Sequence, residues 1–467
     1  MIMIYIAFKF GDKNPIYGGE RMKKILIVLL IGLCATPMVF GSIVTNTNQS
    51  ILFLRYPARN ASTDIDAAYY NPAGTTRLSD GWHFSLNNQT IFQEKTVINE
   101  FPTLNNDTFT GEVMAPLFPS AFVVYKKNRL AFSFGFGPNA GGGSAEFKEG
   151  LPSFETLIST LPLLVTGYGF PTTQYSADIS FKGSSVYFGF QLNAAYEINE
   201  MFSAGVGLRY ISATNTYEGS IENIMINPCI PFINPGCDMI SAYQLFTLFN
   251  MTNEAAMVSN KSVDAKQTAA GFTPILSAHI SPIENLNIGL RYEFNTKLEF
   301  ENQTTTDDTG LFPDGETFRS DIPAILAVGA EYDIIPELKA GVSFTMCFDK
   351  NADWEGREDD VNSNSIEISP ALEYGLTDNI KLSAGYMWSQ IDVSDDYQTD
   401  LSHELSSHAL FFGGRYILNE NLSFDIGGTW VSYLDSETTI DYGLLGSYGE
   451  NYQRTTWAFG IAVNYHK

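Results

Sequence analysis

The stretch RYILNENLSFDIGGTW, residues 415–430, contains an alternating apolar run, a few polar turn residues and a second alternating run that reaches glycine. The same order of features returns in four other stretches, and in a shorter form in a sixth. Such a phrase is typical of two strands joined by a tight turn. The other stretches are AYEINEMFSAGVGLRY (195–210), HISPIENLNIGLRYEF (279–294), EYDIIPELKAGVSF (331–344), EYGLTDNIKLSAGYMW (373–388) and VYKKNRLAFSFGF (124–136).

The runs themselves alternate with period two. In residues 457–465 the odd positions are large and apolar, and the even positions are small or polar. A soluble β-sandwich also alternates, so the alternation alone leaves both classes open. Here one face carries bulky aliphatic and aromatic residues and the other carries glycine, serine, asparagine and single charges, over about 9–11 residues or more, as a tilted membrane strand requires.

Six short turns, with both chain ends on the same side, predict an all-β fold, a 14-stranded antiparallel transmembrane β-barrel. Closed barrels satisfy every backbone group of a spanning strand inside lipid. The predicted strands are 82–98, 116–126, 129–138, 186–197, 202–217, 270–281, 286–300, 319–333, 338–350, 363–375, 380–395, 404–418, 422–436 and 451–465. Two long external loops are expected, 139–185 and 218–269, and the barrel domain covers 81–467.

The apolar run from Ile25 to Ala35 follows Lys23 and Lys24 and is too short to span a bilayer. We therefore predict a secretory signal peptide in residues 1–41, with a mature chain that starts at Ser42. Residues 1–21 are unlike a signal peptide, and we expect translation to start at Met22. The sequence thus predicts an outer-membrane location in a Gram-negative bacterium.

Composition excludes several classes of protein. The formal net charge is −25, so the chain is not expected to bind nucleic acid. Aromatic residues make up 13% of the chain, too many for a disordered protein, and its polarity is too high for a bundle of membrane helices. We expect no cofactor and no metal site, because the histidines show no ligand spacing.

The sequence resembles the FadL family of outer-membrane transporters for long-chain fatty acids and other hydrophobic compounds, which includes the TodX-like channels. The resemblance rests on Asn71, Pro72, Ala73 and Gly74 ahead of the first strand and on the glycine-rich end of the third strand. The stretch SDIPAILAVGAEY (320–332) and the turn phrases also match. The chain ends Tyr465-His466-Lys467 rather than on an aromatic residue, so the terminal assembly signal is displaced by two residues.

The resemblance implies a function and its parts. Residues 42–80 would form an N-terminal hatch, or plug, in the lumen, gated around Asn71–Gly74. An inward kink after Phe136 would give a lateral exit into the membrane. The implied partners are a hydrophobic ligand such as a fatty acid or hydrocarbon, outer-membrane lipids and the barrel-assembly machinery, for a monomeric protein that is not an enzyme. The implied exit residues are Pro138, Asn139, Gly141, Gly142 and Gly143.

Two apolar sets in the long loops have helical spacing and predict an external groove that captures an acyl chain. The alternative is that these faces only pack on each other and cap the barrel mouth. The predicted groove residues are Phe154, Leu157, Ile158, Leu161, Leu164, Tyr243, Leu245, Leu248 and Phe249.

Residue types point to three further candidate sites. Cys229 and Cys237 are expected to form a disulfide in the second loop, given an oxidising compartment. Lumen-facing Arg209, Arg291 and Arg415 have two interpretations: contact with a ligand carboxylate, or pairing with lumen acids. His83 and Ser85 would suit an outer-membrane lipase only if they faced lipid, and the alternation turns them inward. A closed structural or adhesive barrel is the other alternative, and haem uptake a weaker one.

Overall fold

The computed structural model describes Ile43 and residues 46–467, except for the side chain of Leu444. The predicted signal peptide, the start at Met22 and the mature terminus at Ser42 lie outside the described residues. No helix among those described is both long and apolar enough to cross a membrane.

The described chain forms a closed, antiparallel 14-stranded barrel, as predicted. The first strand pairs with the second on one side and with the last on the other, where His83 lies opposite His466. The strand segments are β1 Gly81–Asn99, β2 Thr108–Lys127, β3 Leu130–Phe147, β4 Tyr175–Glu197, β5 Phe202–Ile226, β6 Ile240–Ser241, β7 Lys261–Ile283, β8 Leu286–Glu293, β9 Glu299–Asp307, β10 Thr317–Arg319, β11 Ile325–Ile335, β12 Leu338–Cys347, β13 Val361–Thr377, β14 Ile380–Val393, β15 Ser407–Asn419, β16 Leu422–Tyr433, β17 Ser436–Asp441 and β18 Ser447–His466.

Four of these segments are not separate wall strands. β6 is a short addition to β5, while β9, β10 and β17 continue the walls of β8, β11 and β16 above an interruption. Fourteen walls remain. All six predicted tight turns are present between consecutive strands. The outer face is apolar, as the alternation requires, and Leu86 and Leu117 are 65% and 74% exposed.

Several strands are longer than the sequence predicted. β3 continues to Phe147, β4 begins at Tyr175, β5 continues to Ile226 and β7 begins at Lys261. The long loops are therefore 148–174 and 227–260, not 139–185 and 218–269. The predicted ends followed the apolar outer face, but above that band the outer face of the ladders is polar, while buried residues such as Ile179 and Ile224 pack into the cluster of the external loops.

Short helices occur in two places. Two lie in the N-terminal segment, α1 Ile51–Arg55 and α2 Ala67–Tyr70, and are followed by a 3₁₀ turn at Pro72–Arg77. The others are in the external loops: α3 Pro152–Ser159, α4 Leu161–Gly167, α5 Ala242–Leu248 and α6 Thr252–Met257.

Residues 46–80, which we call the plug, fill the lumen, and almost every side chain from Gln49 to Thr76 is buried. The wall makes room for the plug with inward-facing glycines. A Cβ atom added at Gly289 would lie 2.0 Å from the carbonyl oxygen of Asn60, and one added at Gly385 would lie 2.4 Å from Pro57. The same holds around the barrel at Gly329, Gly341, Gly413, Gly427 and Gly460.

Candidate transport pathway

The Asn71–Gly74 turn of the plug is held by polar groups of the wall. Asn71 Nδ2 lies 3.0 Å from Nδ1 of His279 and donates to the carbonyl oxygen of Ser62 at 3.0 Å. The backbone N–H of Ala73 donates to Oγ of Ser277 at 3.0 Å. Gly74 has no space for a side chain, since an added Cβ would lie 2.4 Å from the Ser62 oxygen. The predicted gate residues thus fix one turn of the plug against β7, where Pro72 begins the 3₁₀ turn.

Tyr69, just before this turn, lies between two of the predicted lumen arginines. The guanidinium carbons of Arg209 and Arg291 lie 4.6 and 4.9 Å from the centre of its ring. Arg291 also donates to the carbonyl oxygen of Tyr69. Cation–π contacts between desolvated groups are worth up to about 2 kcal/mol each. These contacts hold the plug to the wall through Tyr69, which was not among the residues predicted from the sequence.

All three predicted arginines have internal acidic partners. Arg209 binds Glu293 at 2.7 Å, and Arg291 Nε lies 3.2 Å from the same carboxylate. Arg415 binds Asp425 in the wall and Asp64 in the plug, both at 2.8 Å. A buried ion requires such pairing, since its desolvation costs several kcal/mol. Of the two interpretations, this structure displays pairing with lumen acids, Glu293 and Asp425.

A polar cavity of about 190 Å³ lies between the plug and the wall. It is lined by charged residues of both parts: Arg55, Arg59, Asp64, Glu331, Lys339, Glu373, Lys381 and Arg415. Arg55 joins Asp425 at 2.8 Å and also pairs with Glu373. Ion pairs thus connect Arg55 of the plug to the wall.

The ladder between β2 and β3 is interrupted. Ala121 pairs with Phe136 below the interruption and Val113 pairs with Ala145 above it, with no β2–β3 pair between them in the described chain. We call residues 114–120 and 137–144 the ladder gap. Pro116 lies in its β2 side and lacks a backbone donor. The sequence predicted only the glycine-rich side of this gap.

The β3 side of the gap has a backbone suited to glycine. Gly141 and Gly143 have φ angles of +93° and +77°, which other residues rarely adopt. An added Cβ at Gly141 would lie 2.3 Å from the carbonyl oxygen of Ser185, whereas none of the described atoms lies within 4 Å of one added at Gly142. β3 remains paired with β4 here through two register shifts. The outer rim of the gap carries exposed Leu117.

The plug covers the lumen side of the ladder gap. Gln49 Nε2 donates to the carbonyl oxygen of Pro138 at 2.9 Å, and the N–H of Asn46 donates to that of Asn139 at 3.2 Å. The side-chain oxygen of Asn139 occupies the space beside Gly189, where a Cβ would lie 1.5 Å from it. Two of the predicted exit residues, Pro138 and Asn139, are therefore in contact with the start of the plug.

The external loops pack into one apolar cluster. Of the predicted groove residues, Ile158, Leu161, Leu164 and Leu245 are buried in it, and Phe154 and Phe249 pack at its edge. Leu157 is partly exposed. Tyr243 and Leu248 are 48% and 49% exposed, so the structure does not bring them into the cluster.

The difference comes from the phase of α5. Ser241 caps this helix by accepting the N–H of Gln244, and the buried stripe then runs through Ala242, Leu245 and Phe246. The predicted stripe included Tyr243 and Leu248 and left out Phe246. A cap at Ser241, ahead of the apolar residues, is the sequence signal that sets the phase of this helix.

The cluster contains a narrow cleft between the two loops, with only about 10 Å³ of free space. Its lining is apolar: Val165, Tyr168, Phe170, Leu245, Phe246, Phe249 and Met251. Tyr168 OH donates to Glu254 at 3.4 Å, and burial, with the nearby Glu254 charge, raises the pKa of Tyr168 to about 12. In this arrangement of the two loops, the cleft has no room for an acyl chain. A disulfide joins Cys229 and Cys237 in the second loop.

The His83 and Ser85 side chains point into the lumen, opposite to Trp82, Phe84 and Leu86. His83 Nε2 contacts the carbonyl oxygen of Ser79, and Ser85 donates to Asn464 at 2.7 Å. Neither contact activates the serine. Within the described residues, no group of three histidine, cysteine, aspartate or glutamate side chains has the arrangement to hold a metal ion.

Comparison with known proteins gives a fold. No protein-family profile matches the sequence, and no curated protein matches it. Among solved structures, a FadL homologue from Pseudomonas aeruginosa is 14% identical, covers 91% of this chain and 99% of its own, and superposes with a TM-score of 0.63. The chain has the fold of a FadL-type channel.

Two toluene transporters show the same likeness. TodX from Pseudomonas putida is 12% identical, with 87% of this chain and 95% of its own covered and a TM-score of 0.56. TbuX from Ralstonia pickettii is 14% identical, with 86% and 94% covered and a TM-score of 0.52. At such identities the FadL-type likeness extends to the fold and not to the ligand.

Proposed function

We propose that the protein is an outer-membrane channel of a Gram-negative bacterium and that it imports long-chain fatty acids or other hydrophobic small molecules. The closed barrel with an apolar outer band supports the location, because such a band is suited to lipid. The solved structures of this fold include two toluene transporters and a monoaromatic hydrocarbon channel, which supports a hydrophobic substrate.

The observation that carries the proposal is the ladder gap under the plug. An uninterrupted barrel offers no side route through its wall, since each strand is bonded to two neighbours. Here Pro116 and Gly141–Gly143 leave β2 and β3 unpaired at one place, and Gln49 occupies its inner side. Displacement of the plug start would open the lumen towards the lipid.

A side exit suits an apolar molecule on energetic grounds. Each CH₂ group is worth about 0.8 kcal/mol when it is transferred from water. A chain of roughly sixteen carbons would therefore forfeit on the order of 10 kcal/mol by leaving into periplasmic water. Release through the ladder gap into the membrane avoids that cost.

The remaining parts fit an order of steps. The cleft between the external loops captures the molecule, which then enters the lumen above the plug. Movement of the plug around Asn71–Gly74, the turn bonded to Ser277 and His279, opens the ladder gap.

Replacing Gly141, Gly142 and Gly143 with Val, Ser and Val tests this proposal. In cells that depend on the channel for uptake of a labelled fatty acid or toluene, we expect uptake to be lost while the barrel folds and still binds the ligand externally. The matched control is Gly310→Ala with Gly315→Ala, two glycines of positive φ in an external loop. Transport by the triple variant at the parent rate would refute the lateral route.

The structural or adhesive barrel remains the competing function. It predicts that the parent protein, purified and placed in liposomes, moves no hydrophobic probe at all. A lipase is disfavoured by the inward placement of Ser85 and its bond to Asn464.

A further inference from the structure

Two cations face each other near the external end of the lumen. Lys95 in β1 and Arg454 in β18 are directly opposed in the register across the seam of the barrel. The neighbouring inward pair on these strands, Gln93 and Thr456, forms a 2.9 Å hydrogen bond, so this face of both strands is turned to the lumen. Like charges directly opposite on a sheet are destabilising. An anion bound between the two cations would offset this repulsion.

The protein supplies only part of that negative charge. Arg454 Nη1 lies 3.8 Å from a carboxylate oxygen of Glu404, and Nη2 donates to the carbonyl oxygen of His403 at 2.6 Å. The Nε atom of Arg454 is buried and, among the described groups, has no hydrogen-bond acceptor. Lys95 forms no ion pair within 4 Å in the part of the chain that the structure describes.

Glu404 belongs to a loop, residues 394–406, that folds over this point. The adjacent Leu405 is buried in a cluster with Val97, Phe109 and Tyr452. Burial raises the pKa of the Glu404 carboxyl, although the Arg454 charge opposes the shift. The wall therefore presents two cationic side chains, Lys95 and Arg454. The loop neutralises them only in part, through the long and poorly solvated ion pair between Glu404 and Arg454.

Below the cations and the Gln93–Thr456 pair, the wall becomes apolar. Ile91, four residues down β1 from Lys95, and Val431, opposite Thr456 in β16, pack against the cluster that contains Phe411 and Phe53 of the plug. Four residues of a strand span roughly 13 Å. A polar head at the cations would therefore lie above an apolar wall for its chain.

We propose that Lys95 and Arg454 form a head-group site for the carboxylate of a long-chain acid, which replaces the carboxylate of Glu404 there. This rests on the proposed function and narrows its substrate class to anionic amphiphiles. It also separates the head-group site from Arg209, Arg291 and Arg415, whose charges are matched by buried acids. Charge-assisted hydrogen bonds from both cations would hold the carboxylate.

The test compares two probes of equal length, dodecanoate and dodecanol, binding to the full chain in phosphatidylcholine nanodiscs. We expect Lys95→Met to weaken dodecanoate binding about tenfold or more, with dodecanol binding unchanged. Glu404→Gln should tighten dodecanoate binding, because it removes the competing carboxylate. Lys182→Met, which removes an exposed lysine of β4, is the matched control and should change neither.

Three outcomes would overturn the head-group site. In the first, Lys95→Met weakens both probes equally, which marks a structural effect. In the second, Lys95→Met leaves dodecanoate affinity unchanged while the parent binds both probes. That result would contradict the head-group site and leave the proposed channel function intact. In the third, the parent binds neither probe, and the proposed function fails with it. Arg454→Lys, which keeps the charge, should retain most of the preference for dodecanoate.

Discussion

Gln49 of the plug donates a hydrogen bond of 2.9 Å to the carbonyl oxygen of Pro138, at the place where β3 has lost its pairing with β2. Gln49 itself is buried. The same side-chain nitrogen also bonds the carbonyl oxygen of Asn46, so the start of the plug is folded against the ladder gap. At the ladder gap, the lumen side is therefore covered by a side chain of the plug and not by strand pairing of the barrel wall.

Gln49→Leu should loosen this closure. The substitution keeps the volume but removes the 2.9 Å hydrogen bond to the Pro138 carbonyl, which then keeps only the 3.5 Å contact with Asn46 Nδ2. The loss of such a hydrogen bond costs about 0.5–1.5 kcal/mol. We expect faster uptake of a hydrophobic probe at low concentration, measured in liposomes. Asn48→Ala is the control, since Asn48 bonds Gln89 of β1 and makes no contact with the Pro138 carbonyl. Equal uptake rates for the two variants would argue against a role of Gln49 in closure.

The glycine surface around the plug gives a second prediction. A Cβ at Gly329 would lie 2.6 Å from the backbone nitrogen of Ala61, so Gly329→Val must displace the plug. We expect a folded barrel with raised ion conductance in planar bilayers. Gly375→Val adds the same side chain where the nearest atom would be 3.7 Å away, and it should conduct like the parent. Low conductance in both variants would mean that the plug does not seal the lumen.

The buried arginines give a third prediction. Arg209→Met removes the 2.7 Å ion pair with Glu293 and the contact with Tyr69, and it should lower the free energy of unfolding by about 3 kcal/mol. Its effect on the affinity for a fatty acid should be small, because Arg209 is occupied internally. Arg129→Met, at an exposed turn, should change stability by less than about 0.5 kcal/mol. Weakened fatty-acid binding with unchanged stability would instead make Arg209 a ligand contact.

The hairpins and the number of wall strands could be predicted because every second residue of a spanning strand faces lipid and is therefore apolar. Above the apolar band the outer face no longer meets lipid, and buried residues such as Ile179 of β4 and Ile224 of β5 pack on the external loops instead. The lipid-facing alternation therefore does not mark where β4 or β5 ends. The two prolines of β2, Pro116 and Pro119, stand in the ladder gap, yet the pattern read there was the glycine run of β3.

The contacts at the candidate site were harder to predict from the sequence than the strands of the barrel. Which face of α5 is buried depends on the residue at which the helix starts, and a shift of one residue turns the stripe by about 100°. Pairing of Arg209 with Glu293 joins β5 to β8 across β7, a contact that no local pattern specifies. The opposition of Lys95 and Arg454 depends on the register at the seam between the first and last strands.

A reversible cross-link tests the lateral route most directly. A Cβ atom added at Gly137 would lie 3.2 Å from that of Ser120 across the ladder gap, near the spacing of about 3.5–4.5 Å that a disulfide adopts. The control pair, Val124→Cys with Ser133→Cys, joins the same two strands where their ladder is continuous. For oxidised Ser120→Cys with Gly137→Cys, we predict that uptake of a labelled hydrophobic probe stops and that a reductant restores it, while the control pair transports at the parent rate throughout. Full uptake by the oxidised gap variant would contradict the account.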